Sequence, residues 1–183
     1  VLFNVDDIKV YENIEGTFVE TGAVLPHRVS TSFSFGDYDN DGDLDILVTG
    51  GTLADISVGF LQIFRNEGNF SFTVIDVMTP GIRNGWAEFG DYNNDGWLDI
   101  GLAGSAGSGV YISKIFKGSS SGTFTELPLT LQGLRYSKVA WVDYECDGDL
   151  DFLVSGSFSN ETPSLFKLYR NDGNDVFTDA PQT

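Results

Sequence analysis

Apolar residues along the chain fall into short runs that repeat in the same order. Phe33-Ser34-Phe35, Trp86-Ala87-Glu88-Phe89 and Val139-Ala140-Trp141 alternate or are aromatic-rich. About ten residues later come Ile46-Leu47-Val48, Ile100-Gly101-Leu102 and Phe152-Leu153-Val154, stopped by Gly50, Gly104 and Gly156. Such runs, bounded by turn residues and too short for a helix, predict a strand, a loop and a strand. Two further series keep the same beat. One is Val10-Tyr11, Ile63-Phe64, Ile115-Phe116 and Leu168-Tyr169, followed by Asn13, Asn66, Gly118 and Asn171. The other is Phe18, Phe72, Phe124 and Phe177. Each unit therefore carries four short strands, here lettered a to d, with a polar loop between a and b.

The a–b loops begin at residues 37, 91 and 143, so the unit is 54 and then 52 residues long. A period of that size with about four strands predicts an all-β fold, a propeller or other β array, rather than a helical solenoid.

The loops themselves are acidic and nearly identical. The first is Asp37-Tyr38-Asp39-Asn40-Asp41-Gly42-Asp43-Leu44-Asp45. The second is Asp91-Tyr92-Asn93-Asn94-Asp95-Gly96-Trp97-Leu98-Asp99, and the third is Asp143-Tyr144-Glu145-Cys146-Asp147-Gly148-Asp149-Leu150-Asp151. Oxygen-bearing side chains recur at loop positions 1, 3, 5 and 9, with glycine at 6. Alternate side chains of such a loop turn inward, the glycine permits a sharp turn, and the main-chain carbonyls of Asp43, Trp97 and Asp149 add an oxygen each. That is a ligand set for a hard cation. An EF-hand is excluded, because it needs helices on both sides and a Glu at position 12, where Val48, Leu102 and Val154 stand.

With these residues in view, the chain resembles the FG-GAP and VCBS repeats, which build integrin alpha propellers and many secreted bacterial proteins. Phe35-Gly36 and Phe89-Gly90 match the pair that names the first of these, and Trp141-Val142 departs from it. The resemblance implies four-stranded propeller blades with calcium in each a–b loop, hence three Ca2+ ions, and a role in adhesion, recognition or scaffolding. Three a–b pairs but four c–d pairs are present, and Val1-Leu2-Phe3 reads as the tail of a b strand. The expected architecture is a partial propeller of about three and a half blades: a half blade at 1–24, then blades at 25–78, 79–131 and 132–183. Its open ends are expected to meet the rest of a longer propeller or another copy of the chain.

Charge sharpens this picture. The formal net charge is −17, and thirteen of the 27 acidic residues lie in the three loops. Three divalent ions would offset about a third of it. Nucleic acid is an unsuitable partner, since phosphate contact needs basic surface. The aromatic content, 14%, speaks against a disordered acidic chain. No apolar run approaches the ~20 residues of a membrane-spanning helix. Calcium near millimolar is an extracellular condition, so a secreted or cell-surface location is expected. The single cysteine, Cys146, falls at loop position 4, expected to face away from the ion.

Enzyme chemistry finds little support. His27 is the only histidine and no nucleophile turn surrounds it. The clustered carboxylates are already assigned to metal. One more series remains: Arg28, Arg83 and Arg135 precede their loops by nine, eight and eight residues. In an a-b-c-d blade they lie on the side opposite the acidic loops. They read either as a face for an anionic ligand or as structural links to a neighbouring unit. The expected function is a non-enzymatic, calcium-binding recognition or adhesion module, with a protein or carbohydrate ligand on that opposite face. The alternatives are a lectin-like propeller and an accessory region of a larger secreted enzyme.

Overall fold

Strictly local alternation is satisfied by antiparallel pairing throughout. The computed structural model describes residues 8–25, 29–51, 59–158 and 164–180, which hold thirteen strands and no helix. No helix in them is long and apolar enough to cross a membrane. A hairpin, β1 (Ile8–Ile14) and β2 (Thr17–Leu25), comes first. Then follow β3 (Val29–Gly36), β4 (Asp45–Gly51), β5 (Gly59–Asn66) and the long β6 (Phe72–Gly90). Next are β7 (Asp99–Ser105), β8 (Tyr111–Lys117) and the two-residue β9 (Thr125–Glu126). The last four are β10 (Arg135–Val142), β11 (Asp151–Ser157), β12 (Leu165–Asn171) and β13 (Phe177–Asp179).

β6 serves two meanders. Its residues 72–82 pair with β5 and its residues 83–90 pair with β7. The seven-stranded sheet β3 to β9 is thus two four-stranded units sharing one strand, and β10 to β13 form a third. β6 changes partner beside Gly81, where it crosses β5 so closely that no side chain fits. A Cβ at Gly81 would stand 2.0 Å from the carbonyl carbon of Phe60. The stretch after β9 leaves its sheet at Pro128, which has no N–H to give a ladder. Across it, the Leu129 N–H turns back to the Leu127 carbonyl (2.8 Å).

The units pack face to face. Ile46 and Val48 point from β4 to the hairpin, where they meet Leu25, Ile8 and Val10. Leu47, on the opposite face, joins Leu61 and Ile63 against Phe89, Ile100 and Leu102 of unit two. Unit two then offers Ala103 and Ile115 to Val139, Phe152 and Val154 of unit three. Strands buried on both faces read as continuous apolar runs, which is why the b strands carry Ile-Leu-Val and Phe-Leu-Val. Full burial of each such side chain contributes ~1.5–3 kcal/mol. The described units form an open array. On the outer face of unit three Phe166 is 57% exposed, whereas Leu61, on the corresponding face of unit one, is fully buried.

The Phe-Gly pairs now have a physical account. Gly36 receives the next unit: a Cβ there would stand 2.4 Å from Leu98 Cδ1 and 3.1 Å from Phe89 Cδ2. Gly90 receives Trp141 in the same way, at 2.4 Å from Cδ1. Trp141 therefore takes the part that Phe89 takes one unit earlier, and its indole N–H donates to the Glu88 carbonyl (3.3 Å). Gly90→Ala is expected to destabilise the fold by roughly 1–3 kcal/mol through overpacking. A urea midpoint equal to that of the parent would show that units two and three do not meet there. Val1, Leu2, Phe3, His27 and Arg28 lie outside the described residues.

Candidate metal centres

Each acidic loop spans the gap between an a strand and a b strand: β3 to β4, β6 to β7 and β10 to β11. Its path is set by its own carboxylates. The position-1 carboxylate caps the loop. Asp37 accepts the N–H groups of Asp41 (3.0 Å) and Gly42 (2.9 Å). Asp91 accepts those of Asp95 and Gly96, and Asp143 those of Asp147 and Gly148. The position-5 carboxylates of Asp41, Asp95 and Asp147 accept the N–H of position 7, at Asp43, Trp97 and Asp149. Two residues per loop adopt the left-handed region. Gly42, Gly96 and Gly148 have φ of 95°, 85° and 97°, and Asn40, Asn94 and Cys146 have 58°, 56° and 59°. Asparagine tolerates that region better than most side chains, which accounts for its recurrence at position 4.

Position 9 is buried in all three loops and does more than its motif suggests. Asp45 accepts the Tyr38 N–H at 3.1 Å with one oxygen and the Asn66 N–H at 2.8 Å with the other. Asp99 does the same for Tyr92 (3.0 Å) and Gly118 (2.8 Å), and Asp151 for Tyr144 (3.0 Å) and Asn171 (2.8 Å). The residue at or just past the end of each c strand, seen in the sequence only as a periodic landmark, is thus the anchor that ties the loop to its sheet.

The loops are also linked to each other. Asn40 donates its amide to the Gly96 carbonyl (3.0 Å), and Asn94 to the Gly148 carbonyl (2.9 Å). The position-2 tyrosines stack into the next unit, Tyr38 on Phe89 and Tyr92 on Trp141. Position 4 therefore faces the neighbouring loop, a destination that the sequence did not disclose. In unit three the same place holds the exposed Cys146, which has no amide to give.

Position 3 separates the three loops. In loop one, carboxylate oxygens of Asp37, Asp39 and Asp45 lie within 4.8 Å of one another, and Asp39 Oδ1 is buried with no hydrogen-bond partner. Burial, reinforced by the charge of Asp41, raises the Asp39 carboxyl. Burial pushes Asp45 up to about 6 and Asp99 up to about 7, against the lowering effect of their backbone N–H donors. In loop two Asn93 takes this position, with its amide nitrogen buried and unpartnered. In loop three Glu145 lies 3.8 Å from Arg170. An orphaned, buried carboxylate oxygen beside two more carboxylates, with donors that are all oxygen, fits a hard divalent cation. Loop one brings together three of its four predicted carboxylate ligands, and Asp41 is not in the cluster.

The arginine series lies at the other end of the a strands. Arg83 opens the part of β6 that pairs with β7, and its Nε is buried with no hydrogen-bond partner. Arg135 opens β10 and donates to the Tyr111 hydroxyl of unit two (3.4 Å).

The model of the FG-GAP-like repeat family matches residues 1–48, a span that includes the hairpin, β3 and the first acidic loop. No curated protein matches the chain. The chain is thus a β-rich repeat module that carries an FG-GAP-like repeat.

Proposed function

We propose that this module is a segment of a β-propeller, clamped by calcium in its three acidic loops, that serves outside the cell as a recognition, adhesion or scaffolding unit. The observation that carries the reading is the loop-one cluster. Its Asp39 oxygen is buried without a hydrogen-bond partner beside the carboxylates of Asp37 and Asp45, and burial and the charge of Asp41 raise the Asp39 carboxyl against the opposing pull of Arg65. The equivalent backbone of loops two and three, with the same left-handed residues at positions 4 and 6, extends the reading to them. Asp37, Asp39, Asp41 and Asp45, with the Asp43 carbonyl, would hold the first ion. Asp91, Asn93, Asp95, Asp99 and the Trp97 carbonyl would hold the second. Asp143, Glu145, Asp147, Asp151 and the Asp149 carbonyl would hold the third. When bound, calcium supplies positive charge and a fixed coordination shell, and no reaction is asked of it.

The protein's own residues do the rest. The carboxylates at positions 1, 5 and 9 pre-shape the loop through backbone N–H groups. The asparagine links pass that order to the next unit. The lectin alternative would call for an exposed ring between units. The cleft of about 370 Å³ between residues 129–133 and unit three is backed by Tyr169, which is 4% exposed and accepts the Gln132 N–H through its hydroxyl, whereas the cleft of about 330 Å³ between the hairpin and unit one presents Tyr11, 50% exposed.

Calorimetric titration of the chelator-treated protein tests the proposal. Binding of three calcium ions is expected, with loss of one ion in Asp41→Ala. Loop one should fill first. Loop two lacks one carboxylate at position 3 and is expected to be weakest, since affinity follows ligand charge and rigidity. Arg170 competes for Glu145 in loop three. No calcium uptake at millimolar concentration would overturn the reading, and filling of loop two before loop one would overturn the ranking.

A further inference from the structure

Basic residues are scarce in this chain, and most of them are spoken for. Among the described residues, Lys9, Arg65, Lys114, Lys117, Lys167 and Arg170 each pair with a carboxylate. Among the described residues, no carboxylate lies within ion-pair distance of Arg83, Arg135 or Lys138. All three sit near the starts of neighbouring a strands, in β6 and β10, at the end opposite the acidic loops. In a molecule of net charge −17, cations would be expected to find carboxylates first.

Arg135 and Lys138 lie against aromatic rings instead. The Arg135 guanidinium carbon is 4.2 Å from the centroid of Tyr136 and 5.7 Å from that of Tyr111. Lys138 Nζ is 5.0 Å from the centroid of Trp86 on the adjacent unit. The pairing of β10 with β11 slips between Arg135 and Lys138, and that of β6 with β7 between Arg83 and Trp86. Each slip contains a left-handed residue, Tyr136 (φ 47°) or Asn84 (φ 48°). A tyrosine held there is strained, and it is 64% exposed. Bulges of this kind re-aim side chains at sheet ends.

We propose that this end of units two and three is a docking surface for a short acidic segment of a partner protein, with Arg135 as its anchor. A stacked guanidinium keeps its N–H fork directed and weakly hydrated, ready for a carboxylate. Arg135 uses one donor on Tyr111 and has more to offer. Arginine beside tyrosine and tryptophan is the composition of protein-interface centres. A long polyanion would bring its whole charge against an acidic molecule. A few carboxylates on a short segment meet only the local cations, because salt screens the remainder beyond ~10 Å. The inference deepens the reading of the chain as a recognition module.

The test is fluorescence anisotropy with a labelled peptide carrying four Asp and Glu residues, in millimolar calcium, alongside an oligogalacturonate of equal charge. The acidic peptide should bind and weaken with salt, and its lysine-substituted counterpart should not bind. Arg135→Ala, Arg135→Lys and the surface variant Lys138→Glu should each weaken binding at least about tenfold. Lys114→Ala, which loses a cation already paired with Glu126, should leave it unchanged. No peptide binding, equal binding by all variants, or preference for the oligogalacturonate would overturn the proposal. Calcium titration of the same samples separates the two readings. Calcium uptake without peptide binding sinks only this inference, whereas peptide binding without calcium uptake sinks only the metal assignment.

Discussion

Asp99→Ala is expected to lower stability by roughly 2–6 kcal/mol, with or without calcium, because the Asp99 carboxylate holds two backbone N–H groups inside the fold. The donors are Tyr92 at 3.0 Å and Gly118 at 2.8 Å, and the side chain is fully buried. Each buried donor left without a partner costs about 1–3 kcal/mol. Part of that loss is offset, since burial makes this carboxyl costly to ionise and holds it near 7. Asp99→Asn keeps one acceptor and should lose about half as much. At about 2–4 °C per kcal/mol for a chain of this size, the alanine variant should melt roughly 4–24 °C lower. The decisive measurement is a melt in excess chelator. If Asp99→Ala then matches the parent, position 9 serves the metal alone and the clamp is not what holds the loop.

Chelation of the parent protein should also lower its melting temperature substantially. A ligand that binds only the folded form contributes RT ln(1 + [L]/Kd), ~2.7 kcal/mol per site at a hundredfold excess over Kd. Three such sites would contribute up to roughly 8 kcal/mol. The effect should grow with pH. Asp45 and Asp99 are held near 6 and 7 in the fold, above the ~3.9 of an unfolded aspartate. The folded metal-free protein therefore binds these protons more tightly than the unfolded chain. Their contribution is fully present below pH ~4 and is lost as pH rises through 6 and 7. Asp175, Asp172 and Glu67 are lowered by hydrogen bonds from Tyr92, Thr178 and Arg65, so they act below the usual carboxylate range. Between pH 5 and 8 the two buried aspartates dominate. In chelator the protein should melt lower at pH 8 than at pH 5, and added calcium should reverse that order. A chelated melt that is unchanged, or that rises between pH 5 and 8, would contradict this account.

Features that arise within a few residues were legible in the chain. Gly42, Gly96 and Gly148 occupy left-handed turns, the flanking runs are antiparallel strands, and the position-1 carboxylates wrap their own loops. All of these depend on local backbone sterics and on side chains that reach only their neighbours. The 54- and 52-residue beat likewise carried the number of acidic loops. Features that join one unit to another were not legible. The Asn40 amide meets Gly96 across 56 residues, Gly90 leaves room for Trp141, and β6 serves two units. Periodicity reports that such residues recur but not what they touch, because their partners are brought close only when whole sheets stack. The arginine series shows the limit well. Its spacing was visible, yet that Arg83 and Arg135 lack a carboxylate partner among the described residues, with tyrosine rings around Arg135, depended on where folding placed every other charge.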